Sequence, residues 1–410
     1  MTEEILIASV VVVLLVLGLT LGLLMARARL VPKSAVTVTV NGTRQIEAAR
    51  SDRLLGVLHG AGIGIPAACG GSGTCGLCRV RVSGEGAGEA GATERGVLSA
   101  AERKAGTRLA CQTALRGACE VTVPDAFLEA TGGFTCKVVS NRMMAPLIRE
   151  LVLELPEGQP FDFRAGGFLQ LTAPAYRLDF STMPVDEAFR ATWHEARWDT
   201  LRRRSDAAVT RAYSIASRPK DTAAGRVVFN IRLAVPPAGR EEEIPPGVVS
   251  SWLFARQPGD EVQASGPFGE IHVQDTGAEM IFIGGGVGMA PLRAMIHEQA
   301  GLGSTRRMRY FYGARALADL FYVEEFDGIA AGHPNFTWTP ALSDPAPGDR
   351  WTGATGFIHD TVMRALRDHP APEDCEYYLC GPPVMISAVL ATLARLGVEP
   401  DHIFNDDFGV

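Results

Sequence analysis

The stretch CGGSGTCGLC, from Cys69 to Cys78, places three cysteines and four glycines within ten residues. Thiolates bind zinc and iron–sulfur clusters, but a structural zinc site would usually add a second close pair of cysteine or histidine. A Rieske centre would need histidines in such pairs. The sequence offers neither kind of pair here. A 2Fe–2S cluster is favoured over zinc or inert thiols, because glycines let the backbone wrap closely around the cluster sulfurs.

The fourth ligand is expected from a distant segment, and Cys111 in RLACQT is the candidate. The flanking segments resemble β-grasp ferredoxins: AVTVTVNG (35–42) alternates like a first strand, RLLGVLHGAGIGI (53–65) is typical of a helix, and CEVTVPD (119–125) of a closing strand. Five residues separate the first two cysteines, whereas plant-type ferredoxins have four. The predicted metal ligands are Cys69, Cys75, Cys78 and Cys111. The predicted buried, inert thiols are Cys119, Cys136 and Cys375.

A flavin site is predicted from RAYSIAS, residues 211–217. Arginine offers a fork of donors to phosphate, and tyrosine offers a flat face to an isoalloxazine ring. Arg-x-Tyr-Ser on a barrel strand resembles the flavin motif of the ferredoxin–NADP reductase superfamily, and PPGVVSSWLF (245–254) resembles its phosphate-facing helix start. The resemblance implies that FAD is bound by Arg211, Tyr213, Ser214, Gly247, Val248 and Ser250.

A dinucleotide site is predicted from GGGVGMAP, residues 284–291, between the apolar run MIFI and the helical segment LRAMIHEQ. Proline stands where the standard pattern has a third glycine, as in the same superfamily. Its members also carry a CGPP segment beside the nicotinamide ring and an aromatic residue over the flavin near the C-terminus. The resemblance implies nucleotide contacts by Gly284, Gly285, Gly286, Gly288, Pro291, Arg315, Cys380, Gly381 and Pro382. Catalytic roles are implied for Cys380, which would position the ring, and for Phe408, which would cover the flavin.

The N-terminal segment from Ile5 to Met25 contains 21 residues without a charge, enough to cross a bilayer as a helix. A cleaved signal peptide would place basic residues before the apolar run, but Glu3 and Glu4 precede it. Arg27, Arg29 and Lys33 follow it. The charge order predicts a single membrane anchor with the remaining domains on the cytoplasmic side.

The formal net charge of −7 argues against nucleic acid as a partner, because phosphate binding needs a basic face. The glycine-rich segment GEGAGEAGA (84–92) is predicted to be a flexible surface loop. The insert from Pro174 to Thr210 has two interpretations. A solvated excursion that covers a domain surface is favoured over a docking surface for a membrane partner.

The predicted architecture is multidomain. It consists of a transmembrane anchor (1–32), a 2Fe–2S β-grasp domain (33–130), an antiparallel FAD-binding barrel (131–274) and an NADH-binding α/β domain (275–410). This order closely resembles the F subunits of bacterial sodium-translocating NADH:quinone oxidoreductases. The resemblance implies an NADH:ubiquinone reductase that passes a hydride to FAD and single electrons through the cluster. Integral membrane partner subunits and finally ubiquinone would receive them, with sodium export across the cell inner membrane.

Two other functions stay open from the residues alone. One is a membrane-anchored NADH-dependent reductase that feeds an oxygenase, because such reductases share the three soluble modules. The other is a non-enzymatic electron carrier or scaffold subunit whose sites no longer function. The choice between NADH and NADPH also stays open, because no clear basic pair for a 2′-phosphate follows Gly313, although Arg315 is ambiguous.

Overall fold

The computed structural model describes residues 35–67, 71–73, 76–124, 133–269 and 271–407, and the isolated positions Leu15, Gly18, Thr20 and Phe127. Nearly all of the predicted anchor lies outside this set, and a search of the described residues finds no helix able to span a membrane. The chain groups into two compact units. One comprises Met1–Gly62 and Cys78–Pro124, and the other Ile63–Leu77 and Asp125–Val410.

The first unit contains a five-stranded sheet in the order β2-β1-β5-β3-β4. β1 runs antiparallel to β2 and parallel to β5, and its three alternate valines at 36, 38 and 40 are buried. This is the period-2 pattern of a strand with one face on a core. The elements are β1 (Ala35–Val40), β2 (Arg44–Ala49), α1 (Leu54–Gly60), β3 (Arg79–Ser83), α2 (Ala92–Val97), α3 (Ala100–Lys104), β4 (Thr107–Leu109) and β5 (Cys119–Thr122).

The glycine-rich segment 84–92 lies at the surface as predicted, with five of its nine residues exposed, but its middle is packed rather than loose. Gly86 and Ala87 are buried, and Arg108 donates to the carbonyl oxygens of Ala87 and Gly88 at 3.1 and 2.7 Å. A Cβ at Gly86 would lie 2.2 Å from the Gly117 carbonyl oxygen. The glycine is therefore needed for close backbone packing and not for mobility.

The second unit begins with a six-stranded antiparallel sheet in the order β11-β8-β13-β6-β7-β12. A bridge between Ile215 and Phe229 joins the two edge segments, so the sheet curls on itself. Leu151, Leu169 and Phe229 lie fully buried in its core. The elements are β6 (Phe134–Ala145), β7 (Ile148–Glu154), β8 (Phe168–Ala173), β11 (Val209–Ser214), α5 (Pro219–Ala223), β12 (Arg226–Arg232), α6 (Val248–Phe254) and β13 (Glu261–Phe268).

The insert between β8 and β11 is itself folded. It contains the hairpin strands β9 (Tyr176–Asp179) and β10 (Arg202–Ser205), and between them the helix α4 (Glu187–Glu195). Trp193 of α4 is 1% exposed, stacks on Phe254 at 6.0 Å and donates to the Pro146 carbonyl oxygen at 2.7 Å. The insert thus covers the barrel surface, as favoured from the sequence, and it does so through an apolar core shared with Met143, Leu233 and Phe254.

The last part of the second unit is a six-stranded parallel sheet in the order β17-β16-β15-β14-β18-β19. Its central strands β14 and β18 are buried throughout, as expected for a parallel sheet covered on both faces. The elements are β14 (Met280–Gly285), α7 (Met289–Gly301), β15 (Met308–Ala314), α8 (Val323–Gly332), β16 (Phe336–Leu342), β17 (Ala354–Thr355), α9 (Ile358–Leu366), β18 (Glu376–Gly381), α10 (Pro383–Arg395) and β19 (Ile403–Asp407).

Candidate functional site

Two of the predicted cluster ligands meet in the first unit. The Sγ atoms of Cys78 and Cys111 lie 3.2 Å apart, and the residues are 1% and 4% exposed. The pairing of β3 with β4 brings them together, and the Ala110 amide donates to the Cys78 carbonyl oxygen at 2.9 Å. Two buried sulfurs at this separation suit thiolates that share one iron of a 2Fe–2S cluster. Cys69 and Cys75 lie outside the described residues.

The three cysteines predicted to be inert are buried. Cys119, Cys136 and Cys375 are 6%, 0% and 2% exposed. Burial raises the pKa of the Cys119 thiol, that of Cys136 to about 12 and that of Cys375 to about 11. Protonated, inaccessible thiols are poor nucleophiles and poor metal ligands.

The predicted flavin residues converge on one end of the barrel. Arg211, Tyr213 and Ser214 lie on β11, which packs against α6. Gly247 precedes α6, and Ser250 within it is 8% exposed and accepts from the Ala234 amide at 3.3 Å. Burial raises the pKa of the Tyr213 phenol well above its usual range, so the ring is neutral and suited to an apolar flavin face.

Tyr176, at the start of the insert, lies among these residues and was not predicted. Its hydroxyl donates to the Val248 carbonyl oxygen at 2.5 Å, and its ring packs against the same barrel core as that of Tyr213. It therefore joins the two predicted flavin segments. No motif marks Tyr176 in the sequence, because its proximity to Val248 depends on how the insert folds back.

The glycine loop and the CGPP segment lie side by side at the carboxyl edge of the parallel sheet. β14 and β18 are neighbours, with Gly284 opposite Cys380. A Cβ at Gly288 would come within 1.9 Å of the Cys380 carbonyl oxygen. Only glycine permits this approach, so the backbone presents a close cradle for a dinucleotide where the strands end. Cys380 is 1% exposed, Gly381 ends β18, and Pro382 directly precedes α10.

The remaining predicted nucleotide contacts are dispersed. Pro291 is buried in the first turn of α7. Arg315 follows β15 and forms an exposed ion pair with Asp344 at 3.2 Å. Phe408 lies outside the described residues.

A buried arginine ties the nucleotide loop to the flavin strand, and sequence reasoning missed it. Arg293 of α7 is 1% exposed, and its Nε and Nη2 donate to the Glu325 carboxylate at 2.5 and 2.8 Å. Nη1 donates to the carbonyl oxygen of Ala216, two residues beyond Ser214. The guanidinium also lies 4.3 Å from the centre of the Tyr322 ring. The sequence does carry a signal for this buried arginine, because Arg293 is the single charged residue in the apolar helical stretch LRAMI.

Glu325 is the common acceptor of this cluster. Burial opposes its charge, but hydrogen bonds and charge interactions with His297 and Arg293 outweigh burial and lower its pKa to about 2. His297 Nε2 lies 2.8 Å from the carboxylate. The carboxylate therefore stays charged at neutral pH.

Together, the paired cysteines, the Arg-x-Tyr-Ser barrel strand and the glycine loop define an oxidoreductase of the ferredoxin–NADP reductase type joined to a ferredoxin-type domain. Residues 38–116 match the 2Fe-2S iron-sulfur cluster binding domain family, and residues 282–390 match the oxidoreductase NAD-binding domain family. These matches and the fold support a 2Fe–2S cluster, FAD and NADH as the cofactors and co-substrate.

Similarity extends along nearly the whole chain. The F subunit of the Na(+)-translocating NADH-quinone reductase of Marinomonas sp. (strain MWYL1) is 43% identical over 99% of both chains. The F subunit from Methylococcus capsulatus (strain Bath) is 45% identical over 96% of this chain and 97% of its own. The solved Amycolatopsis cytochrome P450 reductase GcoB is 28% identical with a TM-score of 0.61, covering 92% of this chain and 99% of its own. The chain belongs to the family of Na(+)-translocating NADH-quinone reductase F subunits.

Proposed function

We propose that this chain is the electron-input subunit of a sodium-translocating respiratory complex in the bacterial inner membrane. It oxidises NADH by hydride transfer to FAD and passes single electrons through a 2Fe–2S cluster to integral membrane partner subunits and then ubiquinone. One observation carries the proposal: the chain with the Gly288–Cys380 cradle also holds the Cys78 and Cys111 sulfurs 3.2 Å apart. A hydride site and a one-electron site are thus combined in one polypeptide.

FAD, when bound, supplies the conversion between a two-electron hydride donor and a one-electron acceptor. Arg211 binds a phosphate, Tyr213 packs on the isoalloxazine ring, and Ser214 hydrogen-bonds the flavin. The 284–288 backbone receives the pyrophosphate of NADH, and Cys380 positions the nicotinamide ring. Phe408 would cover the flavin face.

Each of the four parts predicted from the sequence has its own role in this proposal. Residues 1–32 anchor the chain in the bilayer, and residues 33–130 hold the cluster through Cys69, Cys75, Cys78 and Cys111. The flavin barrel and the NADH domain, 131–274 and 275–410, lie on the cytoplasmic side. The identity to named F subunits supports this arrangement.

A second candidate is a membrane-anchored NADH-dependent reductase of an oxygenase system. The likeness to a cytochrome P450 reductase over 92% of the chain favours it. Deletion of residues 1–32 separates the two functions. An oxygenase reductase would still serve its partner, whereas the respiratory subunit would lose quinone reduction while keeping NADH-driven reduction of its own flavin.

The decisive experiment is purification of the full chain with its neighbouring membrane proteins, followed by NADH oxidation in vesicles. We expect oxidation to require both sodium and quinone and to drive sodium uptake into inverted vesicles. Potassium in place of sodium serves as the control. Activity indifferent to sodium and quinone would refute the respiratory function. A flavin that NADH fails to bleach under anaerobic conditions would refute enzymatic activity altogether.

A further inference from the structure

The insert hairpin has a half-buried face formed by two residues of each strand. Cross-strand pairing places Arg203 opposite Leu178 and Ser205 opposite Tyr176, and all four are half-buried. The hairpin packs against α6, whose start belongs to the predicted flavin site. A positive charge on the inward face therefore needs an explanation, because burying an uncompensated charge is costly.

The two arginines on the outward face of the same hairpin are exposed and paired with acids. Arg202 and Arg204 are 81% and 59% exposed at their side chains. They pair with Asp179 at 2.9 Å and with Asp206 at 2.6 Å. Asp179 and Asp206 thus serve the outward arginines, and Asp199, just before β10, pairs with His194 at 3.1 Å.

Arg203 has no such acid. Within the described part of the chain it forms no ion pair with a carboxylate, and its buried Nε has no hydrogen-bond partner. Its guanidinium lies near the Tyr176 phenol, since burial raises the pKa of that phenol to about 12 and the positive charge of Arg203 opposes the rise. A buried, charged donor with open hydrogen-bonding capacity is expected to meet an anion.

Tyr176 shows where that anion would lie. Its hydroxyl donates to the Val248 carbonyl oxygen at the start of α6, and its ring packs against the same barrel core as Tyr213. Arg203 therefore lies beside a tyrosine that contacts one flavin segment and shares a core with the other. Arg211 likewise forms no carboxylate pair among the described residues, and its Nη1 donates to the Thr210 carbonyl oxygen at 2.8 Å.

We propose that Arg203, contributed by the insert, is a second arginine for the diphosphate of FAD, beside Arg211. The inference rests on the proposed flavin function. A guanidinium fork matches phosphate oxygens, and a diphosphate carries enough negative charge for two arginines. The insert then has a role in cofactor binding besides covering the barrel.

The test is binding of flavin to the full chain after its FAD has been removed, followed by flavin fluorescence. We expect Arg203→Met to weaken FAD binding about 10- to 100-fold, the loss of one charge-assisted hydrogen bond. Riboflavin has no phosphate, so its affinity should stay within about twofold of wild type. Arg203→Lys should bind FAD with an affinity between those of wild type and Arg203→Met, because a point charge replaces the guanidinium fork. The matched controls Arg202→Met and Arg204→Met should bind FAD like wild type.

Three results would overturn the proposal. They are unchanged FAD affinity in Arg203→Met, equal loss of FAD and riboflavin, and equal loss in the two control variants. The second and third would make Arg203 a structural residue of the hairpin. If Arg203→Met fails to fold, the comparison of FAD with riboflavin in Arg203→Lys decides alone. Wild type that binds no FAD would refute the proposed function itself, a different outcome from wild-type binding unaffected by Arg203.

Discussion

Arg293 and Glu325 form a two-pronged ion pair, with nitrogen–oxygen distances of 2.5 and 2.8 Å, although 32 residues separate them. The pair joins the helix after the dinucleotide loop to α8. Through the Ala216 carbonyl oxygen, Arg293 also reaches the segment that follows the flavin strand. One buried cation thus contacts both the segment after the predicted flavin strand and α8.

Removal of that cation should destabilise the protein strongly. Arg293→Met leaves the Glu325 carboxylate buried without its main partner, at an expected cost of about 3–5 kcal/mol. Chemical denaturation monitored by tryptophan fluorescence measures the change. Arg367→Met, which removes an exposed arginine, is the control and should cost less than about 0.5 kcal/mol. A loss of unfolding free energy in Arg293→Met no larger than that in the control would show that the Arg293–Glu325 pair contributes nothing to stability.

The same carboxylate should make stability depend on pH. Its pKa is about 2 in the folded chain against an ordinary 4.5. The folded state therefore favours the charged form, and this stabilisation is present above pH 4.5 and lost as the pH falls toward 2. The difference corresponds to at most about 3 kcal/mol. Glu325→Gln should be less stable than wild type at neutral pH, and the gap should narrow below about pH 4. A stability difference between wild type and Glu325→Gln that stays constant from pH 7 to pH 3 would contradict the lowered pKa of Glu325.

The glycine loop offers a test of nucleotide binding. Gly288→Ala places a methyl group against the Cys380 carbonyl oxygen and must displace one of the two loops. We expect kcat/KM for NADH-driven flavin reduction to fall about 100-fold, because a displacement of about 1 Å misaligns the reacting groups. The visible spectra of the flavin and the cluster should be unchanged. In the control, Gly328→Ala, nothing lies within 4 Å of the added group, so activity should be retained. Normal NADH kinetics in Gly288→Ala would show that the close approach of Gly288 to Cys380 is not needed for NADH binding.

Substitution of individual cysteines should distinguish cluster ligands from structural thiols. Cys75→Ser and Cys111→Ser should abolish the iron–sulfur absorption while NADH still reduces the flavin. Cys119→Ser should keep the cluster, because that thiol is buried in β5 and its pKa is raised by burial. Retention of the iron–sulfur spectrum in either of the first two variants would make the ligand assignment wrong.

Thiol reactivity offers an independent check on the buried cysteines. With pKa values of about 12 and about 11, Cys136 and Cys375 should not react with iodoacetamide at about pH 8 in the native protein. Both should react after denaturation, as peptide mass spectrometry would show. Rapid native labelling of either would mean that its environment opens in solution.

Local sequence patterns predicted the elements well wherever neighbouring residues decide the structure. The alternation in AVTVTV, the apolar run MIFI and the glycines that follow it correspond to β1, β14 and the turn into α7. The prediction held only in part for segment 84–92, which is exposed but packed at its middle, because glycine permits close packing as well as mobility. It also missed Tyr176, Arg203 and Arg293, whose partners lie far along the chain.

The cysteine spacing, the glycine turn and the Arg-x-Tyr-Ser segment, together with their resemblance to a known superfamily, were sufficient to indicate a 2Fe–2S cluster, a flavin and a nicotinamide dinucleotide, although not whether that dinucleotide is NADH or NADPH. The folded chain was needed to show that Cys78 meets Cys111, that Gly288 touches the Cys380 backbone and that Arg203 faces inward with no carboxylate partner among the described residues. The physical reason is that burial and pairing are set by strand order and by the return of the insert. These bring together residues between which local sequence carries no signal.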